Sequence, residues 1–215
     1  LAAKSEYEAA LRKNPYLVPA LSGYGDLLVR EGQYDDALSR LTRAVRLAPG
    51  HAPSQFHMGW LHLRTGRLLE SSQYFLRGLQ IDKRSTDGRL GLAQSYLARN
   101  LPSSALPEFQ RVFATDSSCV AAMVGIGASQ VRMENPAVAE RMLRRAVERA
   151  PGNAPAHRWL GAALAAQREY PEAVAQYRTA IQLDPADAAS HAGLGRALEL
   201  AGSMTEAEEA LLEGL

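Results

Sequence analysis

Several features are scarce or missing in this 215-residue chain, and each absence excludes a class of protein. Cys119 is the single cysteine, which excludes an internal disulfide framework and any zinc site built from several cysteines. No apolar run approaches the roughly 20 residues that a membrane-spanning helix needs, so we expect no membrane insertion. Lysine and arginine nearly balance aspartate and glutamate, 24 against 23, so the strongly basic face of a nucleic-acid-binding protein is not expected.

Signatures of catalysis and of targeting are missing as well. The N-terminal stretch carries Glu6 and Glu8 and has no signal-peptide pattern, and the cellular compartment stays open. His57 and His62 are five residues apart, which on a helix turns them about 140° away from each other, whereas a shared metal needs a spacing of four. Cys119 has no sequence-adjacent histidine to activate it. We therefore expect no enzyme activity, no metal and no cofactor.

The chain does contain a repeat of 34 residues that no insertion interrupts. Prolines recur on this lattice at positions 15, 49, 151 and 185. Small residues form columns with the same period, and large apolar residues form others between them. One small column is Gly25, Gly59, Ala93, Gly127, Gly161 and Gly195, and one large column is Leu41, Phe75, Phe109, Leu143, Tyr177 and Leu211. Repeats of this length predict a stacked array of supersecondary units.

Each repeat is predicted to be an antiparallel helix hairpin. Its apolar residues have helical spacing, and prolines stand where the first turn of a helix tolerates them. Glycines follow the leading helices, at Gly32, Gly66 and Gly202, where a left-handed residue makes a tight turn. Two antiparallel helices approach closely only where a small residue meets a bulky one, which explains the columns. One hairpin cannot bury its apolar face alone, so consecutive hairpins must stack.

The stretches "LSGYGDLLVREGQYDDALSRLTRAVRLAP" and "HRWLGAALAAQREYPEAVAQYRTAIQLDP" closely resemble the tetratricopeptide repeat, and the resemblance covers the whole chain. It implies an all-α, right-handed superhelical solenoid whose leading helices line a concave groove for a peptide or a segment of another protein. The expected repeats are a trailing half-repeat (1–17), five full repeats (18–51, 52–85, 86–119, 120–153 and 154–187) and a truncated sixth (188–215).

The third and fourth repeats depart from the pattern. Asn100 and Leu101 stand in the turn of the third repeat, and Pro107 lies inside its trailing helix, where we expect a kink or a late helix start. Glu134 and Asn135 replace the turn glycine of the fourth repeat. The middle of the array is therefore predicted to be the least regular part.

The inward face of the leading helices supplies the expected binding residues. Glycines at positions 23, 91, 125 and 193 are expected to let the backbone of a partner approach the wall, whereas His62 is expected in the core. The alternative for the two tryptophans is that they only cover neighbouring helices. The candidate peptide-binding residues are Arg30, Phe56, His57, Trp60, Arg64, Leu90, Gln94, Val124, Arg132, Arg158 and Trp159.

The leading functional hypothesis is a scaffold that holds a protein or peptide partner through apolar and aromatic anchors, with acidic residues of the partner paired to Arg30, Arg64 and Arg132. A second hypothesis is a structural module that self-associates through uncapped ends, because the chain closes on Leu211, Leu212 and Leu215 without a polar capping helix. A third is a non-catalytic recruitment module of a larger enzyme or secretion machine.

Overall fold

The protein, represented by a computed structural model, is described over residues 2–213, except for the side chains of Ala2, Leu211 and Glu213. This part of the chain contains helices and no strands. The helices are α1 (Ala2–Lys13), α2 (Val18–Arg30), α3 (Tyr34–Leu47), α4 (Ala52–Arg64), α5 (Leu68–Ile81), α6 (Thr86–Ala98), α7 (Pro102–Thr115), α8 (Val120–Arg132), α9 (Pro136–Arg149), α10 (Ala154–Ala166), α11 (Tyr170–Leu183), α12 (Ala188–Ala201) and α13 (Met204–Glu213).

The chain divides into two compact units, unit 1 over residues 1–101 and unit 2 over residues 102–215. In unit 1 the leading helices α2, α4 and α6 pack side by side, and α3 and α5 pack between them along the chain. Unit 2 repeats this arrangement with α8, α10 and α12 as leading helices and α9 and α11 as trailing ones. The predicted third repeat contributes α6 to unit 1 and α7 to unit 2. The all-α architecture of stacked helix hairpins is confirmed in each unit.

The turns inside the hairpins share one geometry, whether or not they contain glycine. The three turn glycines adopt the left-handed conformation, with φ between 74° and 88°. Asn100, Glu134 and Arg168 occupy the same lattice position with φ of 58°, 61° and 66°. A left-handed conformation costs an ordinary residue about 1–2 kcal/mol, which other interactions of the fold must offset. The prediction of an irregular middle is therefore wrong for these turns.

Pro107 lies inside α7, which begins at Pro102, so the predicted late helix start is wrong. The missing N–H of Pro107 would have bonded to the carbonyl group of Ser103, four residues earlier. Both residues are exposed, so water can reach the carbonyl oxygen that loses its helical partner. The helix tolerates the proline because the unpaired group lies at the surface.

Helix contacts within the hairpins follow the predicted pairing of small and large residues. A Cβ atom added to Gly25 would lie 2.5 Å from Leu41, and one added to Gly127 would lie 2.4 Å from Leu143. The alanines that follow the turns, such as Ala37 in unit 1, are fully buried. The small columns therefore set the distance between the two helices of a hairpin.

A second set of glycines fits the aromatic ring of the preceding trailing helix, which corrects the expectation that these glycines admit a partner's backbone. A Cβ atom on Gly91 would lie 2.2 Å from the ring of Phe75, and one on Gly125 would lie 2.3 Å from Phe109. Gly23 and Gly193 meet tyrosine rings in the same way, those of Tyr7 and Tyr177. The protein itself fills the space beside these glycines.

Gly23, Gly91, Gly125 and Gly193 belong to one lattice column of six positions. The other two positions are not glycine, and both follow a leucine instead of an aromatic residue. His57 follows Leu41 in the lattice, and Trp159 follows Leu143. A leucine does not extend across the gap as a ring does, so a side chain fits there. Trp159 packs partly against the cluster that contains Leu143.

A polar side chain near the start of several leading helices ties that helix to the turn before it. Gln55 Nε2 donates to the carbonyl oxygen of Pro49 at 2.8 Å, and Arg89 donates to that of Lys83 at 2.7 Å. His157 and His191 occupy the same lattice column, and their Nε2 atoms bond to the proline carbonyl six residues earlier at 2.9 and 3.1 Å. The prediction that these two histidines are periodic packing residues is confirmed.

The last residues bear on the hypothesis of self-association. Leu212 is 69% exposed, the side chain of Leu211 is not described, and Leu215 lies outside the described residues. Association through this end stays a prediction.

Candidate peptide-binding surface

Unit 1 contains a cleft of about 570 Å³ on its leading helices. The cleft combines two arginines, three carboxylates and two aromatic rings. Because α2, α4 and α6 lie side by side, residues near their ends converge there. The lining residues are Asp26, Val29, Arg30, Glu31, Gly32, Tyr34, Trp60, Arg64 and Asp87. Of the predicted residues, the structure thus brings Arg30, Trp60 and Arg64 together.

Trp60 is held in one orientation by its neighbours. Its ring meets Phe75 edge-on, with centroids 5.1 Å apart and planes at 82°. Its Nε1 atom donates a hydrogen bond to Asp87 Oδ2 at 3.1 Å. The ring is half-buried, so its remaining surface is available to solvent or to a ligand. Trp60 therefore forms a rigid aromatic wall of the cleft and does not serve only as core.

The two arginines of the cleft differ in their partners. Arg30 is paired with Asp26 one helical turn away, at 2.8 Å, although 76% of its side chain is exposed. Arg64 is also exposed and forms no ion pair within residues 2–213. Arg64 therefore carries the less compensated positive charge at this site.

Four other predicted residues of unit 1 lie elsewhere. Phe56 is only 5% exposed and packs against Gly78 and Gly88, so the structure places it in the core. His57 is half-buried, and its Nδ1 atom lies 2.9 Å from the hydroxyl of Ser22. Leu90 and Gln94 are half-buried on α6 and do not line the cleft.

In unit 2, the structure brings three predicted residues together around one ring. The guanidinium carbons of Arg132 and Arg158 each lie 5.3 Å from the centroid of Trp159, within the range of cation–π attraction. Arg158 also pairs with Asp187 at 3.3 Å. Burial, and then the nearby charge of Arg158, lower the pKa of Arg132. Val124 is half-buried and packs against the core cluster of Met123, Ala146 and Ala156.

His62 and Cys119 are not part of either surface. His62 is buried, as predicted, and stacks on Tyr74 with centroids 5.2 Å apart. Burial lowers its pKa first, Arg67 lowers it further, and Glu70 acts in the opposite direction. Cys119 is half-buried at the start of α8. The described residues contain no group of three metal-ligating side chains, and none of their helices has the length and apolar content to cross a bilayer.

Sequence reasoning missed several residues of these surfaces as binding residues, among them Asp87, Asp187 and Tyr34. Asp87 and Asp187 stand at the starts of leading helices, where an acidic residue is expected for the helix alone. Tyr34 begins a trailing helix and lies at the edge of the cleft. The 34-residue pattern does not mark Asp87 or Asp187, because their bonds to Trp60 and Arg158 join neighbouring leading helices.

Comparisons with known proteins agree with this architecture. A sequence profile described as tetratricopeptide repeat matches residues 23–86, 125–188 and 163–215, which together make up more than half of the chain. A curated Arabidopsis thaliana protein, the probable UDP-N-acetylglucosamine–peptide N-acetylglucosaminyltransferase SPINDLY, is 34% identical over 76 residues. That match covers 35% of this chain and only 8% of the length of the plant protein.

Solved structures show the same fold at low sequence identity. The APC/C hetero-tetramer Cut9–Hcn1 contains a chain that matches with a TM-score of 0.81 and 17% identity, over 99% of this chain and 42% of that one. YrrB, whose structure is described as a TPR protein with an unusual peptide-binding site, matches with a TM-score of 0.65 and 19% identity, over 86% of this chain and 95% of its own. Identities this low compare the fold alone.

Proposed function

Because the chain belongs to the tetratricopeptide repeat family, whose fold is consistent with a scaffold for protein–protein interaction, we propose that it binds a peptide segment of a partner protein in the cleft of unit 1. Members of the family are generally non-catalytic scaffolds. The observation that carries the proposal is the rigid, half-exposed ring of Trp60 in a cleft of about 570 Å³. A cleft of this size accommodates a few side chains of an extended or helical peptide.

The chemistry of the cleft indicates what such a peptide contains. The Trp60 ring loses little conformational entropy when an apolar side chain of the peptide packs on its exposed part, because Phe75 and Asp87 already fix the ring. An acidic side chain beside it would compensate the charge of Arg64. Tryptophan and arginine are the residue types that most often dominate the free energy of an interface.

Binding in the cleft is tested by selecting short peptides from a random phage library against the whole chain and measuring their affinity by fluorescence anisotropy. Trp60→Ala is expected to weaken a selected peptide at least about tenfold, which corresponds to roughly 1.4 kcal/mol. Arg64→Gln should weaken acidic peptides and leave neutral ones unchanged. Helical circular dichroism confirms that the variants are folded.

Tyr16→Ala is the matched control, because Tyr16 is an aromatic residue of the same unit that is 64% exposed and does not line the cleft. This variant should bind like the original chain. A selected peptide that binds equally well to Trp60→Ala and to the original chain would show that the cleft is not the binding surface.

A further inference from the structure

Unit 2 contains a smaller cleft whose residues are not among the candidate peptide-binding residues, although Gly193 was expected on the inward wall. It measures about 300 Å³ and lies where α10, α11 and α12 meet. One side is apolar and formed by alanines and one leucine, and the other presents a phenol and a guanidinium group. The lining residues are Ala162, Ala165, Ala166, Tyr177, Gly193, Arg196, Ala197 and Leu200.

Tyr177 places a hydroxyl group in this cleft that packing does not require. The residue is only 6% exposed, and its ring lies over Gly193, where an added Cβ atom would come within 2.4 Å. Phe75 and Phe109 occupy the same lattice column without a hydroxyl group and are equally buried. In the described part of the chain the Tyr177 hydroxyl forms no hydrogen bond. The ring of Tyr177 is thus buried, while its unpartnered hydroxyl group reaches the accessible space of the cleft.

Positive charge surrounds this hydroxyl group. Burial raises the pKa of Tyr177 to about 12, while the charges of Arg158 and Arg196 act in the opposite direction. The hydroxyl group therefore keeps its proton at neutral pH and can donate a hydrogen bond. Arg196 is exposed and has no ion-pair partner among the described side chains, whereas Arg158 shares its charge with Asp187. The Nε atom of Arg158 is buried without a hydrogen-bond acceptor.

We propose that the cleft of unit 2 binds the carboxylate of a glutamate or aspartate side chain carried by a partner peptide, with Tyr177 and Arg196 as donors and Arg158 as a nearby positive charge. The inference rests on the proposed function, because it assigns a second contact to the same class of partner. The volume of about 300 Å³ admits one side chain, whose methylene groups would lie on the alanine wall.

Charge complementarity selects a carboxylate for this site. Guanidinium groups present parallel N–H donors that match the two oxygens of a carboxylate, and a phenol adds a third donor. Asp187 offsets one of the two positive charges, so one net positive charge remains for one anion. The site therefore favours a singly charged oxyanion over a neutral amide of the same shape.

Arginine side-chain NMR tests this site directly. In the isotope-labelled chain, the Nε–Hε signals of Arg158 and Arg196 are followed during titration with N-acetylglutamate methylamide, its glutamine analogue and inorganic phosphate. We expect both signals to shift saturably with the glutamate probe, with a Kd of roughly 1 mM, and not with the glutamine analogue. Saturation by phosphate without a response to the glutamate probe would show a site for a free anion and overturn the proposal.

Variants separate recognition from structure. Tyr177→Phe should lower the affinity for the glutamate probe roughly tenfold, because one hydrogen bond to a charged group is lost while the ring is kept. Arg196→Gln should abolish saturable binding. Arg178→Gln is the matched control, since Arg178 lies on the same helix and pairs with Glu206 outside the cleft. Equal affinities for Tyr177→Phe and the original chain would exclude the hydroxyl from the site.

The two proposals fail in different ways. Trp60→Ala and Arg64→Gln change unit 1 and should leave the shifts of Arg158 and Arg196 unchanged. If selected peptides do not depend on Trp60 but the glutamate probe still saturates unit 2, the cleft of unit 1 is wrong and the carboxylate site stands. If the peptides depend on Trp60 and no titration shifts the arginine signals, the carboxylate site alone is wrong.

Discussion

The two tryptophans of this protein stand in opposite electrostatic surroundings. In unit 1, the indole N–H of Trp60 donates to a carboxylate of Asp87. In unit 2, the ring of Trp159 lies against two guanidinium groups. Both side chains are half-buried on leading helices of the same repeat pattern. The comparison shows that a nearly invariant scaffold can present different binding chemistry in each unit.

The difference originates in the packing of the trailing helices. Trp60 directly follows Gly59 of the small packing column, and Phe75 supports its ring. Trp159, like His57, occupies a column whose other members are glycines beside a ring, and it fits because Leu143 precedes it. The size of one residue on a trailing helix therefore decides whether the next leading helix can carry a large side chain.

The largest expected effect comes from a substitution that disrupts the packing of a ring against a glycine. In Gly125→Ala the new Cβ atom would lie 2.3 Å from Phe109, and we expect a loss of about 2 kcal/mol in the free energy of unfolding. Adding Phe109→Leu places a leucine before position 125, as Leu143 precedes Trp159. In that background Gly125→Ala should leave the free energy of unfolding nearly unchanged. Urea unfolding of the two single variants and the double variant measures the coupling.

Gly152→Ala is the control for this series, because a Cβ atom on Gly152 meets nothing within 4 Å and its φ is not positive. It should leave the urea midpoint unchanged. Independent, additive effects of Gly125→Ala and Phe109→Leu would contradict the packing rule that separates Trp159 from the glycines.

A smaller effect concerns acid stability. His62 stands in a lattice column where unit 2 has Leu164 and Leu198. Its pKa in the folded chain is below the ordinary value of 6.5, so the unfolded chain takes up the proton first as the pH falls. The contribution of neutral His62 to stability is therefore complete above about pH 6.5 and decreases below it. His62→Leu should flatten the pH dependence of the urea midpoint in that range.

His51, whose pKa is also lowered by burial, retains its share of the pH dependence in this variant. Leu164→His should introduce a new loss of stability at acid pH in unit 2, since it buries an ionisable ring at the matching position. Identical pH profiles for His62→Leu and the original chain would show that His62 titrates normally.

The smallest expected effect is a difference in fluorescence quenching that reports the charges around the two tryptophan rings. Trp159→Phe leaves Trp60 as the only tryptophan, and Trp60→Phe leaves Trp159. Iodide should quench Trp159 more than Trp60, and caesium should do the reverse, by about twofold at low salt. In about 1 M sodium chloride the difference should vanish, because the screening length is then about 3 Å. Neutral acrylamide controls for exposure, and an equal response to both ions contradicts the comparison.

The sequence correctly predicted the helix hairpins, the packing columns and the family, because these depend on contacts that recur every 34 residues. It also named Arg132, Arg158 and Trp159 as candidate binding residues without predicting that they meet, and the structure brings them together. It was wrong about the glycines beside the rings, because a column of small residues looks alike whether a partner or the protein itself fills the space. Only atomic distances separate the two cases.

The remaining residues of the clefts were hidden by their ordinary structural roles. Tyr177 belongs to a core column, and its hydroxyl becomes relevant only because Gly193 lets the ring reach the cleft. Asp87 lies in the first turn of α6 and its bond to Trp60 joins two helices, which a one-dimensional period does not encode. Phe56 was expected in the groove, yet Gly78 and Gly88 leave room for it in the core.

The fit of each ring to the glycine of the next repeat also restricts how such an array can be rearranged. A repeat whose trailing helix carries Phe75 or Phe109 can be followed only by a repeat whose leading helix has a glycine beside that ring. A repeat whose trailing helix carries Leu41 or Leu143 is followed by one with His57 or Trp159 at that place and does not require the glycine. We therefore expect gene duplication, deletion and module exchange to be less constrained at these two junctions than at the others.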